Sequence, residues 1–132
     1  MINIPDSHQD LLSDEKRAFV YLATIMKDGS PQVTPVWFDV EGEYIRLNSA
    51  AGRLKDRNMR ARPTVALCIA DPADPYRYLQ IRGRVVEITL EDAEAHIDSL
   101  NFKYHGSRRY PNHRPDQPRV IYKVLPEKVD PH

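Results

Sequence analysis

The sequence predicts a mainly β, α+β domain in which six strands, with three short helices between them, make an antiparallel barrel. Three observations lead there. Six apolar runs of strand length follow one another between turn residues. Two tight turns, Lys27-Asp28-Gly29-Ser30 and Val40-Glu41-Gly42-Glu43, join the first three runs into a meander, because glycine supplies the positive φ such turns demand. The 132 residues are enough for one domain spanning 1–132, with a core that needs neither disulfide nor metal.

In order, Leu11, Leu12 and then Phe19 give Ser7 to Arg17 the pattern of a short amphipathic helix, capped by Asp6 or Ser7. Ala18 to Met26, Pro31 to Asp39 and Tyr44 to Ser49 are the first three strands. A basic helix follows Gly52 and stops before Pro63. Thr64 to Asp71 is unbroken and apolar, which predicts a central strand covered on both faces, with Cys68 in the core. Asp71-Pro72-Ala73-Asp74-Pro75-Tyr76 reads as a loop by composition. Tyr78 to Ile88 is a long strand with a bulge or bend at Gly83. Thr89 caps a helix whose Ala93, Ile97, Leu100 and Tyr104 recur at helical spacing. Residues 105–118 are polar, proline-rich and irregular, and Arg119 to Leu125 is the last strand.

The 19 Lys and Arg balance the 19 Asp and Glu, so no general attraction to nucleic acid is expected. The charge is unevenly placed. Glu87, Glu91, Asp92, Glu94 and Asp98 make one acidic segment, whereas residues 53–62 and 103–119 are basic, which argues for a local anion site. The single cysteine excludes an intramolecular disulfide and any multi-cysteine metal site, and fits a reducing compartment. The five glycines form neither a dinucleotide fingerprint nor a phosphate loop. The five histidines lack metal-ligand spacing, so no metal is expected; His96 reads as a surface residue, and His105 and His113 as solvated loop residues. The first residues lack the cationic start of a signal peptide, and no apolar run approaches the roughly 20 residues that span a bilayer. A cytoplasmic protein without a membrane partner is expected.

The stretch from Leu47 to Pro63 is the most informative. Arg53, Lys55, Arg57, Arg60 and Arg62 face one acid, Asp56, and two of the cations lie in the first helical turn, where the helix dipole favours acids. Cations set against the dipole suggest a bound anion, held by backbone N–H groups together with Arg and Lys side chains. A solvated basic face is the other reading.

Pro31-Gln32-Val33-Thr34-Pro35-Val36-Trp37-Phe38, the run Gly52-Arg53-Leu54-Lys55-Asp56-Arg57-Asn58, Asp71 to Tyr78 and Arg82-Gly83-Arg84-Val85 together resemble the pyridoxamine 5′-phosphate oxidase-like split β-barrel superfamily. Within it they are most similar to the small deazaflavin (F420)-dependent oxidoreductases, whose Arg-x-Lys-x-x-Asn pattern matches residues 53–58. The resemblance implies a six-stranded antiparallel split β-barrel of the FMN-binding split-barrel type with flanking short helices. It also implies a homodimer that holds a flavin-type cofactor at the subunit interface. Carried onto this chain, Asn48 and Ser49 contact the ribityl chain or phosphate, and Arg53 and Lys55 bind the phosphate. Asn58 either contacts cofactor or satisfies neighbouring backbone. Pro35 removes a backbone donor and forces an edge or bulge, freeing backbone groups of Thr34 and Val36 for the polar edge of a flat ring. Of Trp37 and Phe38, one faces the core and the other the ring or the dimer seam. Tyr76 and Arg77 close over the ring, reach the partner's phosphate, or lie on the surface.

The implied activity is hydride transfer between reduced F420 and an unsaturated or quinone-like small organic acceptor. FMN in the same fold, as a flavin reductase or oxidase, and a binding protein without turnover are the alternatives. Arg57, Arg108, Arg109 and Arg114 are available to meet the anionic tail that distinguishes F420 from FMN. The C-terminal Arg-x-His clamp of true pyridoxamine phosphate oxidases is missing after Tyr122, which argues against vitamin B6 oxidation. No side chain stands out as a proton donor, so the catalytic residue is unknown.

Overall fold

Strand β1 (Val20–Ile25) pairs with β2 (Pro31–Val36), and β3 (Phe38–Glu41) pairs with β4 (Tyr44–Ala50), yet β2 and β3 stand at opposite ends of one antiparallel sheet. The computed structural model describes residues 3–132, so the part of the N-terminal reading that rests on Met1 and Ile2 lies outside the described residues. After β4 come α1 (Leu54–Ala61), β5 (Thr64–Asp71), β6 (Asp74–Thr89), α2 (Ala93–His105) and β7 (Arg119–Pro131). The strand order is β2-β1-β5-β6-β7-β4-β3. Val36 is opposite Val20 at one end of the sheet, and Phe38 is opposite Leu47 at the other. Trp37 between them therefore crosses from edge to edge and curls the sheet into a split barrel.

That crossing corrects the expected six strands to seven. The single run Pro31 to Asp39 divides at Trp37 because its two halves have different partners. Pro35 sits on the edge strand β2, where its missing donor costs no ladder bond.

Other boundaries also move. The expected first helix is two short 3₁₀ segments, Asp6–Leu12 and Asp14–Lys16, with Pro5 at the start and no side-chain cap. The expected turn at Val40 to Glu43 shortens to Gly42 and Glu43. The loop expected from Asp71 to Tyr76 is a tight hairpin at Pro72 and Ala73: Asp71 Oδ1 accepts the Ala73 N–H at 2.9 Å, so β6 begins at Asp74. The Thr89 hydroxyl accepts from the Glu91 N–H, and α2 starts after Asp92. The last strand runs on to Pro131 because β6 continues beside it.

Inside the barrel lie Leu22, Phe38, Ile45, Leu47, Leu67, Ile69, Leu79, Ile81, Tyr122 and Val124. The bulge expected at Gly83 is present, since the β6–β7 register shifts between Arg82 and Gly83. A Cβ at Gly83 would stand 2.5 Å from the Leu125 carbonyl oxygen, so close strand approach requires glycine there. Strand β5 is central, but only one face is covered: Val65, Leu67 and Ile69 are buried, while Ala66, Cys68 and Ala70 are half-exposed. Cys68 is thus on the outer face and not in the core. Among the described residues, no helix is long and apolar enough to cross a membrane.

Candidate functional site

A cavity of about 330 Å³ opens where β2, the end of β4, the start of α1, α2 and the start of β7 converge. Its walls are Pro35, Val36 and Trp37 from the edge crossing, Asn48 and Ser49 from β4, Arg53 and Lys55 at the α1 entry, and Arg119 from β7. Ile97, Asn101 and His105 from α2 and residues 110–112 complete it.

The α1 end is braced from below. Asp56, buried at 3% exposure, accepts from the Gly52 N–H (2.9 Å), Arg60 Nε (3.0 Å) and the Tyr122 hydroxyl (2.5 Å). The one acid in the basic run is thereby turned under the helix. Arg53 and Lys55 keep their charge for the cavity. Lys55 Nζ donates to Thr34 Oγ1 at 3.2 Å, which links the helix to the edge strand.

Arg119 is the third cation. Its Nε donates to Asn48 Oδ1 at 2.8 Å, and its guanidinium lies 5.2 Å from the Tyr110 ring centre. Among the described residues, none of the Arg53, Lys55 and Arg119 side chains forms an ion pair. Burial, and then the charges of Arg53 and Arg119, push the Lys55 ammonium below its usual range. Burial lowers Arg119 as well, with Arg53 adding to the effect. The Ser49 hydroxyl, on a residue 3% exposed, is the buried side-chain polar atom left without a hydrogen-bond partner among the described residues. Buried polar groups are normally paired, so three cations that line one cavity without an ion pair among the described residues, with an orphan hydroxyl on a neighbouring lining residue, are what an anion site would require.

A buried network backs it. Asn48 Nδ2 donates to the Ala93 carbonyl and lies 3.0 Å from His96 Nδ1; His96 Nε2 lies 3.1 Å from Asp39 Oδ1. Arg46 holds Asp39 through two bonds of 2.9 and 2.7 Å. Burial works to raise the Asp39 pKa, but the hydrogen bonds from His96 and Arg46 prevail and hold it at about 2. His96 is 4% exposed, which corrects the surface reading: the helix turns this position toward β3 and β4.

Of the residues expected from sequence, Pro35, Val36, Asn48, Ser49, Arg53 and Lys55 line the cavity, with Thr34 reached through Lys55. Asn58 does not line it. Its amide donates to Thr24 Oγ1 (3.0 Å) and lies 3.3 Å from Met26 Sδ, tying α1 to β1. Tyr76 is 87% exposed on the β5–β6 hairpin. Arg77 is committed to Asp10 (2.5 Å) and Asp71 (2.9 Å), fastening the N-terminal segment to the sheet. Phe38 is core, whereas Trp37 lines the cavity and stacks on Tyr104, which stacks in turn on Phe19. His105 also lines the cavity, edge-on to Trp37, and His113 bonds to Asp98 at 2.7 Å. Arg108 covers the Phe102 ring and Arg114 pairs with Asp116.

Sequence reasoning missed Arg119 and Tyr110, and left open which of Trp37 and Phe38 faces the core. An arginine opening an apolar strand just after Pro118 is a signal, but only the register that sets Arg119 opposite Ala50 brings it to Asn48.

The family model described as pyridoxamine 5′-phosphate oxidase matches residues 4–132. Among solved structures, one named F420 reductase is 36% identical, with a TM-score of 0.82 over 96% of this chain and 98% of that one. A conserved hypothetical protein from Mycobacterium tuberculosis is 22% identical, with a TM-score of 0.71 over 98% and 85% of the two chains. The protein Atu2129, of unknown function, from Agrobacterium tumefaciens is 20% identical, with a TM-score of 0.72 over 98% and 58%. No curated protein matches.

Proposed function

The chain belongs to the pyridoxamine 5′-phosphate oxidase family, and from that premise we propose that it is an F420-dependent oxidoreductase acting as a homodimer on a small organic acceptor. The observation that carries the reading is the trio Arg53, Lys55 and Arg119 lining one cavity. It fits the phosphate that F420 and FMN share. The 36% identity to a protein named F420 reductase favours the deazaflavin.

When bound, such a cofactor supplies hydride transfer at its ring. The chain's own residues do the rest. Arg53, Lys55, Arg119 and Ser49 hold the phosphate, and Asn48 aims Arg119. Trp37, Ile97 and Tyr110 form a wall that keeps water out, and Pro35 leaves an edge backbone at Thr34 and Val36 open to a flat ring.

The dimer rests on the uncovered outer face. Tyr21 lies opposite both Pro35 and Cys68, and Ala23 opposite both Val33 and Ala66. Val33 is 65% exposed and Tyr21 44%. This apolar face adjoins the cavity through Pro35, and the cavity is at the small end of the roughly 300–1,000 Å³ typical of ligand sites. A second copy would cover the face and complete the site.

Titration of the purified protein with F420 and with FMN, monitored by fluorescence, tests the reading. F420 should bind more tightly, and acceptors such as quinones should discharge the reduced coenzyme. Equal or tighter FMN binding would move the assignment to FMN, and tight F420 binding with no acceptor turned over would indicate a carrier.

A further inference from the structure

His96 lies behind the cavity wall and, together with the Ala93 carbonyl, sets which end of Asn48 the wall presents. An asparagine amide can sit either way round, and Arg119 is accepted only if Asn48 turns its oxygen toward it. The Nδ2 end faces two acceptors, the Ala93 carbonyl and His96 Nδ1, each at 3.0 Å. Nδ1 accepts only when the ring proton is on Nε2, and Nε2 faces the Asp39 carboxylate at 3.1 Å. Arg46 grips both oxygens of that carboxylate. Each partner thus fixes the next, and the series ends with Asn48 Oδ1 on Arg119 Nε at 2.8 Å.

We infer that His96, anchored by Asp39, is a positioning residue for the cavity's anion site, acting through Asn48 to hold the Arg119 guanidinium toward the ligand. The inference rests on reading the cavity as a phosphate site. Among the described residues the Nη groups of Arg119 have no hydrogen-bond partner, so they are the donors that this series aims. His96 and Asn48 are 4% and 5% exposed, so water does not substitute for either. A merely structural histidine would support the β4–α2 packing without reference to which end of Asn48 faces Arg119.

The test titrates F420 fluorescence, with inorganic phosphate as competitor, against wild type, Arg119→Gln, His96→Asn, His96→Gln and the double variant His96→Gln/Arg119→Gln. Melting curves check folding. Arg119→Gln should weaken F420 binding roughly tenfold, the loss of one charged hydrogen-bonding group. His96→Asn keeps an acceptor near the Nδ1 position and should stay within about twofold of wild type. His96→Gln, whose amide falls near Nε2, should lose nearly as much as Arg119→Gln, and the double variant no more than that single change, because both remove one interaction. Additive losses, or wild-type affinity in a folded His96→Gln protein, overturn the inference while leaving the phosphate site standing. Wild-type affinity in Arg119→Gln instead defeats Arg119's place in the phosphate site, and the role of His96 falls with it. If neither His96 variant folds, Asn48→Ala decides: affinity must fall as far as in Arg119→Gln, and unchanged affinity refutes the inference.

Discussion

Lys55 Nζ stands 3.2 Å from Thr34 Oγ1, its one hydrogen bond among the described residues, although the residue is half-buried beside Arg53 and Arg119. A half-buried ammonium that meets a neutral hydroxyl and two like charges is a liability to the free protein. Such liabilities concentrate where a ligand later supplies the missing partner.

The first prediction follows from the sign of that liability. Because the folded state depresses the Lys55 pKa, the stability penalty is full below the folded-state value and fades as pH rises from there through 10.5. Lys55→Met should therefore melt no lower than wild type at neutral pH, and any gain should shrink as the pH is raised into that interval. Differential scanning calorimetry across pH checks it. A clear loss of stability at pH 7 would assign Lys55 a structural role.

Asp39 behaves oppositely. Its carboxyl is held at about 2 against a usual 3.8, so its contribution is fully present above the unfolded value and is lost as pH falls from near 4 to near 2. The shift corresponds to roughly 2 kcal/mol at neutral pH. Urea denaturation at pH 5 and pH 2.5 should show that slope in wild type and a shallower one in Asp39→Asn.

Gly83→Ala should destabilise by about 1–3 kcal/mol, since the added methyl group meets the Leu125 carbonyl at 2.5 Å on a paired strand. Chemical denaturation gives the value. An unchanged midpoint would mean that β6 and β7 move apart at no cost.

Light scattering should return about twice the 15.3 kDa chain mass for wild type. Val33→Asp places a charge on the uncovered outer face and should shift the protein toward monomer, with weaker cofactor binding as a consequence. A wild-type monomer at micromolar concentration would contradict the shared site.

What the sequence disclosed and what it withheld divide along a physical line. Local signals are legible: Asp28-Gly29 places a hairpin, Gly83 a bulge, and the run from Gly52 to Pro63 a basic helix. Properties set by distant pairing are not. Nothing near Trp37 announces that its two neighbours pair at opposite edges of the sheet, so the sequence presents one run where there are two strands. His96 resembled a surface residue because its partners, Asp39 and Asn48, are 57 and 48 positions away. The unbroken apolar run of β5 suggested cover on both faces, whereas its outer side is open within one protomer. That error is informative, because an apolar face without an internal partner is the pattern of an interface.

The central claim is that the cavity's cations hold the phosphate of a deazaflavin cofactor. A fluorescence titration of F420 against wild type and Lys55→Met, repeated at low and high salt, tests it most directly. The account predicts tight wild-type binding that weakens with salt, and a loss of roughly tenfold or more in the variant, since charged hydrogen bonds are worth about 1.5–3 kcal/mol. Equal affinity in the two proteins at low salt would contradict it.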